Sequence, residues 1–279
     1  MLYISHCEKR VQRISMASMS SAPAPSGAQT VLRAVALLKV LATKPQQGWR
    51  LIDLAAACSL DSATAHRILK NLAAQRLVSR DPSRRRYLPG PMLFELGLAY
   101  PQPLQLIRAI RRPLSALASE FRAVGTLWLR SATDVVCADR MGHLKTRVFV
   151  DVGTRRPLAS MAPGISILLE LPRAERQALI TENLQRMNQL FPGRLREFRN
   201  MIARSERAGF GVAFDDLVQG LYSVGAPIMT AEGEPVAALC LIGTTSEVPE
   251  SRIPNLAAQL RACAKHISSE REVLLKQLR

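Results

Sequence analysis

The hydrophobic period changes twice between residues 51 and 90, and that change restricts the fold more than any other stretch of the chain. Leu51, Leu54 and Ala55 give one side of a short helix over residues 51–58. Ser59, Leu60 and Asp61 form a turn, with the Asp61 carboxylate placed to accept unpaired N–H groups of the next helix. In that helix, residues 62–75, Ala65, Ile68, Leu69 and Leu72 fall at i, i+3, i+4 and i+7 and predict a buried stripe. Its other side carries Ser62, Thr64, His66, Arg67 and Lys70. Residues 77–80 and 85–88 then read as two strands around an Asp81-Pro82 turn, with Arg84, Arg85 and Arg86 at the tip and on the return strand. A preceding helix over residues 28–42 has Val31, Val35, Leu38 and Ala42 at helical spacing, widened by Leu32, Leu37 and Leu41. Together these elements predict a winged helix-turn-helix over residues 28–90.

Small hydroxyls followed by basic side chains suit a helix that enters a major groove. Thr64 is the best placed for base reading and Arg67 for anchoring a phosphate. His66 has two readings of equal weight, a solvated histidine or a contact to base or phosphate. Three adjacent arginines repel one another unless an anion lies nearby, so the hairpin points to a phosphate backbone or minor groove more than to a solvated loop. The charge distribution agrees. The chain carries a formal +16, and residues 28–90 hold 11 Lys and Arg against 3 Asp and Glu. Residues 101–279 hold 24 against 17 over nearly three times the length. A generally basic surface would account for the total but not for its concentration, so double-stranded DNA is the expected partner.

The length of 279 residues suggests two domains, and 48% hydrophobic residues suffice for buried cores. Residues 1–27 read as a flexible tail without the apolar stretch of a signal peptide, and Met16 and Met19 are alternative starts. Residues 91–122 read as linker helices, 92–99 and 104–122, and as a source of dimer contacts. The second has Leu106, Ile110, Leu114, Leu117 and Phe121 on one side. From 123 to 279, strands are expected at 126–130, 135–140, 147–152, 224–229 and 235–242, and helices at 164–171, 173–186, 195–208 and 253–278. The fold class is therefore α+β, the second domain being built on a mixed sheet. Cys7, Cys58, Cys137, Cys240 and Cys263 are far apart, without metal spacing, which suits a reducing cytoplasm. No apolar run reaches the length of a membrane span.

Taken together, residues 29–269 resemble the IclR family of regulators. The resemblance is carried by Ser62-Ala63-Thr64-Ala65-His66-Arg67-Ile68-Leu69, by Leu77-Val78 and by Tyr87-Leu88-Pro89-Gly90. Further along it is carried by Gly153-x-Arg155-x-Pro157-Leu158 with Gly164, by Gly209-Phe210-Gly211 with Gly220, and by Ala226-Pro227-Ile228. It implies a winged helix-turn-helix joined by a linker helix to a GAF-like effector domain. It also implies a homodimer or dimer of dimers on a palindromic operator, and a small organic effector. Met161, Phe214, Tyr222, Ser223 and Cys240 fall at family pocket positions, each either pocket wall or plain core. Arg155 either neutralises a ligand carboxylate or pairs with a nearby Asp. The sequence departs from the family where ligand contacts lie. Ala159 and Met161 stand in place of His and Thr, Ser223 in place of Cys, and Cys240-Leu241-Ile242 in place of a Ser-rich strand. These changes predict a more apolar pocket and an aromatic or bulky hydrophobic effector.

Enzymatic function finds little support. No G-x-S-x-G elbow, P-loop or H-E-x-x-H motif occurs, and His6, His66, His143 and His266 lack metal spacing. Asp215 and Asp216 read as a loop cap or ligand contact before they read as a catalytic pair. No cofactor is expected. The alternative is a small-molecule-binding or enzymatic protein whose basic half docks another protein. A closer one keeps DNA binding and uses the second domain for dimerisation alone.

Overall fold

A computed structural model describes residues 26–43, 47–142, 150–270 and 275. Residues 1–25 of the expected tail, part of the break at 44–46, His143, residues 147–149 of the expected third strand and most of the chain beyond 270 lie outside the described residues. The last two residues assigned to the tail, Ser26 and Gly27, instead open the first helix. The chain divides into two compact units, the first running to Tyr100 and including Gln189–Phe191, the second comprising Pro101–Asn188 and the residues from Pro192 onward.

In the first unit, helix α1 (Ser26–Leu41) precedes α2 (Leu51–Ala57) and α3 (Ser62–Ala74). Strands β1 (Val78–Asp81) and β2 (Arg86–Pro89) form an antiparallel hairpin, and α4 (Pro91–Leu98) follows. Leu37, Val40, Leu41, Trp49, Leu54, Ile68, Leu69, Val78 and Tyr87 make the core. The expected stripe on α1 is only partly used. Val31 and Val35 are 62% and 41% exposed, whereas Leu37, Val40 and Leu41 are buried. Only the last turns of α1 pack on the core, and the earlier turns overhang it.

The wing is fastened at both ends. Trp49 and Tyr87 exchange two main-chain hydrogen bonds, of 2.9 and 2.8 Å, adding a single bridge to the hairpin. At the tip, Asp81 Oδ1 accepts from the Ser83 N–H (2.9 Å), the Ser83 hydroxyl (2.6 Å) and the Arg84 N–H (3.0 Å). At the wing's exit a Cβ on Gly90 would stand 2.1 Å from the Arg76 carbonyl oxygen, which no side chain tolerates.

In the second unit, α5 (Gln102–Glu120) buries Leu106, Ile110, Leu114 and Ala118. The sheet comprises β3 (Val124–Ser131), β4 (Asp134–Met141), β5 (Arg155–Pro157), β6 (Gly211–Phe214), β7 (Leu221–Met229) and β8 (Pro235–Thr244). Its order is β5-β4-β3-β8-β7-β6. The α+β class is as expected, but the sheet is not mixed. All five pairings are antiparallel, because hairpins join β3 to β4, and β7 to β8, and the crossover brings β8 back antiparallel to β3. Helix α5 and α9 (Ile253–Glu270) contribute to the core on one face, with Leu127, Val224, Leu239 and Leu241. Helices α6 (Ala162–Glu170), α7 (Arg173–Leu190) and α8 (Leu195–Ala208) complete the unit.

Two strands differ from expectation. Residues 150–152 are not extended in a ladder; the strand lies at β5, and Cys137 bonds instead to Gly153 and Thr154 main-chain groups. A turn at Gly153, with φ of 87°, delays the pairing. Strand β6 was not expected: its four residues follow Gly209, a left-handed helix terminator, too closely to show an alternation.

Candidate nucleic-acid interface and ligand-domain site

Helix α3 is oriented by what it buries. Ala65, Ile68 and Leu69 face the core. At 100° per residue, Arg67 and Lys70 then lie on the opposite side, flanked by His66 on one edge and Thr64 on the other. His66, Arg67, Lys70 and Ser62 are exposed, and Thr64 is half-buried. The Thr64 N–H donates to Asp61 Oδ1 at 2.8 Å, the cap expected from the sequence. That bond holds the Asp61 carboxyl below its ordinary range. The side chains of His66, Arg67 and Lys70 make no hydrogen bond or ion pair with any described residue, so α3 presents Arg67 and Lys70 as cations without a counter-charge.

The wing arginines are not equivalent. Arg85 is exposed at the tip with φ of 52°. Arg84 is exposed and only loosely paired with Asp81, at 3.9 Å. Arg86 is half-buried, and its Nη1 donates to the main-chain oxygens of Gly48 (3.0 Å) and Gln47 (3.4 Å). A further exposed arginine, Arg80, stands on β1 directly opposite Tyr87.

In the second unit the expected ligand residues divide by sheet face. A Cβ on Gly225 would stand 2.6 Å from Ala162 O and Pro163 Cα, so α6 starts against that face of β7. Ser223 shares this face by strand alternation, and Cys240 is Gly225's direct partner on β8. Thr126 pairs with Cys240, and Trp128 with Cys137, extending the same face. Trp128 Nε1 donates to the Thr126 hydroxyl at 2.9 Å. Burial pushes the Cys137 and Cys240 thiols up to about 12, so both are neutral. Met161 caps α6 and is half-buried.

Phe214 and Tyr222 pair with each other on the other face, in the core shared with α5 and α9. They are therefore not brought together with Ser223 and Cys240. Asp215 Oδ1 accepts from the Gly220 N–H at 2.6 Å, and Asp216 Oδ2 from the Phe214 N–H at 2.9 Å. Asp215 serves its own loop, whereas Asp216 Oδ2 also pairs with Arg204 Nε of α8 at 3.3 Å, tying the loop to that helix. Arg155 takes the second of its two readings: its Nη1 donates to Ser131 Oγ (3.1 Å) and Asp134 Oδ2 (3.2 Å). Arg186 holds the other oxygen of Asp134 at 2.9 Å. Among the described residues there is no cluster of three or more metal-ligating side chains, and no helix is long and apolar enough to cross a membrane.

A capped helix with free cations and an arginine-tipped wing, followed by a separate α+β unit, define a DNA-binding transcription regulator with an effector-binding domain. Comparison with known proteins gives the family. The IclR helix-turn-helix domain matches residues 30–82, and the bacterial transcriptional regulator IclR C-terminal domain matches residues 99–269. The chain belongs to the IclR family of bacterial transcriptional regulators. It is 25% identical over 244 residues to the HTH-type transcriptional regulator KipR of Bacillus subtilis, covering 86% of this chain and 96% of that one. It is 25% identical over 250 residues to the HTH-type transcriptional regulator KdgR of Escherichia coli, covering 88% and 94%. The fold is shared with an IclR regulator from Alicyclobacillus acidocaldarius, at a TM-score of 0.68 and 21% identity over 86% of this chain and 98% of that one. It is also shared with an IclR homologue from Microbacterium hydrocarbonoxydans in complex with 4-hydroxybenzoate, at a TM-score of 0.65 and 21% identity over 88% and 99%.

Proposed function

We propose that the chain acts in the cytoplasm as a homodimer, or a dimer of dimers, that reads a palindromic operator. Residues 28–90 form the DNA-binding part, 91–122 the linker helices and 123–279 the effector part. Helix α3 enters the major groove. Ser62, Thr64 and His66 approach base edges, Arg67 and Lys70 hold phosphates, and Arg84 and Arg85 reach the backbone from the wing tip. The observation that carries this reading is the outward side of α3, where Arg67 and Lys70 lie opposite the buried stripe without a counter-charge. Two-fold pairing of such heads reads an inverted repeat. Exposed apolar side chains on α1 and α4 support self-association.

The effector is a small aromatic or otherwise hydrophobic organic molecule held on the α6 side of the sheet. Ser223, Cys240 and Met161 are the wall residues favoured there. The buried Trp128, on the same sheet face as Cys137 and Cys240, supports this class, as does the 4-hydroxybenzoate bound by the Microbacterium relative. Binding favours one conformation of the effector part and so biases the paired DNA-binding heads. Fluorescence anisotropy with duplex from the gene's own upstream region, over a salt series and with aromatic acids added, tests both parts. Binding indifferent to salt, or to every aromatic acid, overturns the corresponding half.

A further inference from the structure

We propose that Arg80 is a phosphate-clamping residue of the wing, and that Arg86 is a positioning residue that braces the wing without touching DNA. This rests on the reading of α3 and the wing as a DNA-binding surface, and it redistributes the work within the hairpin.

The two faces of the wing face different neighbours. Side chains directly opposite on antiparallel strands share a face, and alternate residues return to it. Val78 pairs with Pro89, and Arg80 with Tyr87. Val78 and Tyr87 are buried in the core that also contains Ile68 and Leu69 of α3. Arg80 therefore projects on the α3 side of the hairpin, one step beyond the core toward the tip. A groove filled by α3 meets that side of the wing. Arg80 is exposed and makes no hydrogen bond or ion pair with any described residue. Asp81, the nearest acid in sequence, points to the other face and spends Oδ1 on the tip.

Arg86 has the opposite character. It pairs with Asp81 in the register and so lies on the face away from the core. A Cβ on Gly48 would stand 3.2 Å from the Arg86 Cβ, showing how closely the loop before α2 runs beneath it. Its guanidinium donates to the Gly48 and Gln47 carbonyls. These bonds reinforce the Trp49–Tyr87 bridge and fix the wing's angle to the helices. The three-arginine run thus mixes tip cations with a brace, while the cation facing the groove lies four residues before the run.

The test uses the full chain and a labelled mixed-sequence duplex, with log Kobs measured against log salt concentration. Each lost phosphate contact flattens the slope by about 0.9. Arg80→Gln is expected to flatten it by about that amount with an unchanged thermal midpoint, and Arg80→Lys to restore the slope. Arg86→Gln is expected to lower the thermal midpoint and keep the slope, whatever happens to affinity. A wild-type slope in Arg80→Gln overturns the clamp. A slope flattened in Arg86→Gln at an unchanged midpoint overturns the brace. If the wild type itself shows no salt-dependent binding, the DNA-binding surface is lost and this assignment with it.

Discussion

Asp61 Oδ1 accepts the Thr64 main-chain N–H at 2.8 Å, and this bond starts the helix that carries Arg67 and Lys70. Because the bond requires an ionised acceptor at full strength, the folded Asp61 pKa lies below its unfolded value. Its contribution is therefore fully present above the unfolded value, near 3.9, and is lost as pH falls through the folded pKa. Asp61→Ala is expected to lower the thermal midpoint at pH 7 and to remove this part of the acid dependence. Asp61→Asn is expected to keep most of the midpoint, since an amide oxygen also caps. Thermal melts across pH 3 to 7 check both; equal acid dependence in Asp61→Asn and wild type would refute the assignment.

Gly225 sets how closely α6 approaches the sheet. A Cβ there meets the Ala162 carbonyl and the Pro163 backbone at 2.6 Å, neither of which can rotate away. Gly225→Ala is expected to destabilise the second unit by about 1–3 kcal/mol, the usual cost of overpacking. Urea unfolding measures it, and a change under about 0.5 kcal/mol would mean that α6 is not held against the sheet.

Asp134 divides its carboxylate between Arg155 and Arg186. All three side chains are mostly buried, so Asp134→Ala leaves two cations poorly hydrated and is expected to cost about 2–4 kcal/mol. With both arginines paired internally, Arg155→Gln is expected to lower stability while leaving the affinity for a carboxylate effector within about twofold, far below the tenfold that 1.4 kcal/mol would give. Calorimetric titration with 4-hydroxybenzoate checks this; selective loss of carboxylate ligands would restore Arg155 to the pocket.

Cys137 and Cys240 lie on the α6 side of the sheet as neutral thiols, pushed up to about 12 by burial. Alkylation at pH 8 is expected to spare both in the folded protein and to modify both in urea, because the thiolate is the reactive form. Mass spectrometry of the labelled peptides reads the outcome. Rapid native modification of Cys240 would show that this face opens to solvent.

Local chemistry made the DNA-binding unit legible in sequence: the Asp61 cap, the stripe of Ala65, Ile68 and Leu69, and the Asp81-Pro82 turn all act within a few residues. Tertiary placement was less visible. Val31 and Val35 keep helical spacing on an overhanging part of α1, and no pattern within one helix reveals where its neighbours end. The Arg86 brace depends on a carbonyl 38 residues away. Other signals were present but hidden behind family positions. Tyr222 and Ser223 are adjacent on a strand and so must face opposite ways, and Arg80 shares the parity of Val78. The division of Phe214 and Tyr222 from Ser223 and Cys240 follows from that period of two once the strand bounds are fixed.

Helix α4 buries none of its side chains in the single chain, although Phe94 and Leu98 are 70% and 54% exposed and large. Exposed apolar side chains of this size cost free energy in water, and a partner surface that covers them recovers about 25 cal/mol per Å². If that partner is a second copy, Phe94→Glu with Leu98→Glu places charge in the joint and is expected to convert dimers to monomers in sedimentation velocity, with little change in the secondary-structure signal. The same double variant is expected to bind one half-site of an inverted repeat as well as two, whereas the wild type prefers the complete repeat. A wild type that sediments as a monomer at micromolar concentration, and binds half and full sites alike, would refute the two-fold reading of the operator.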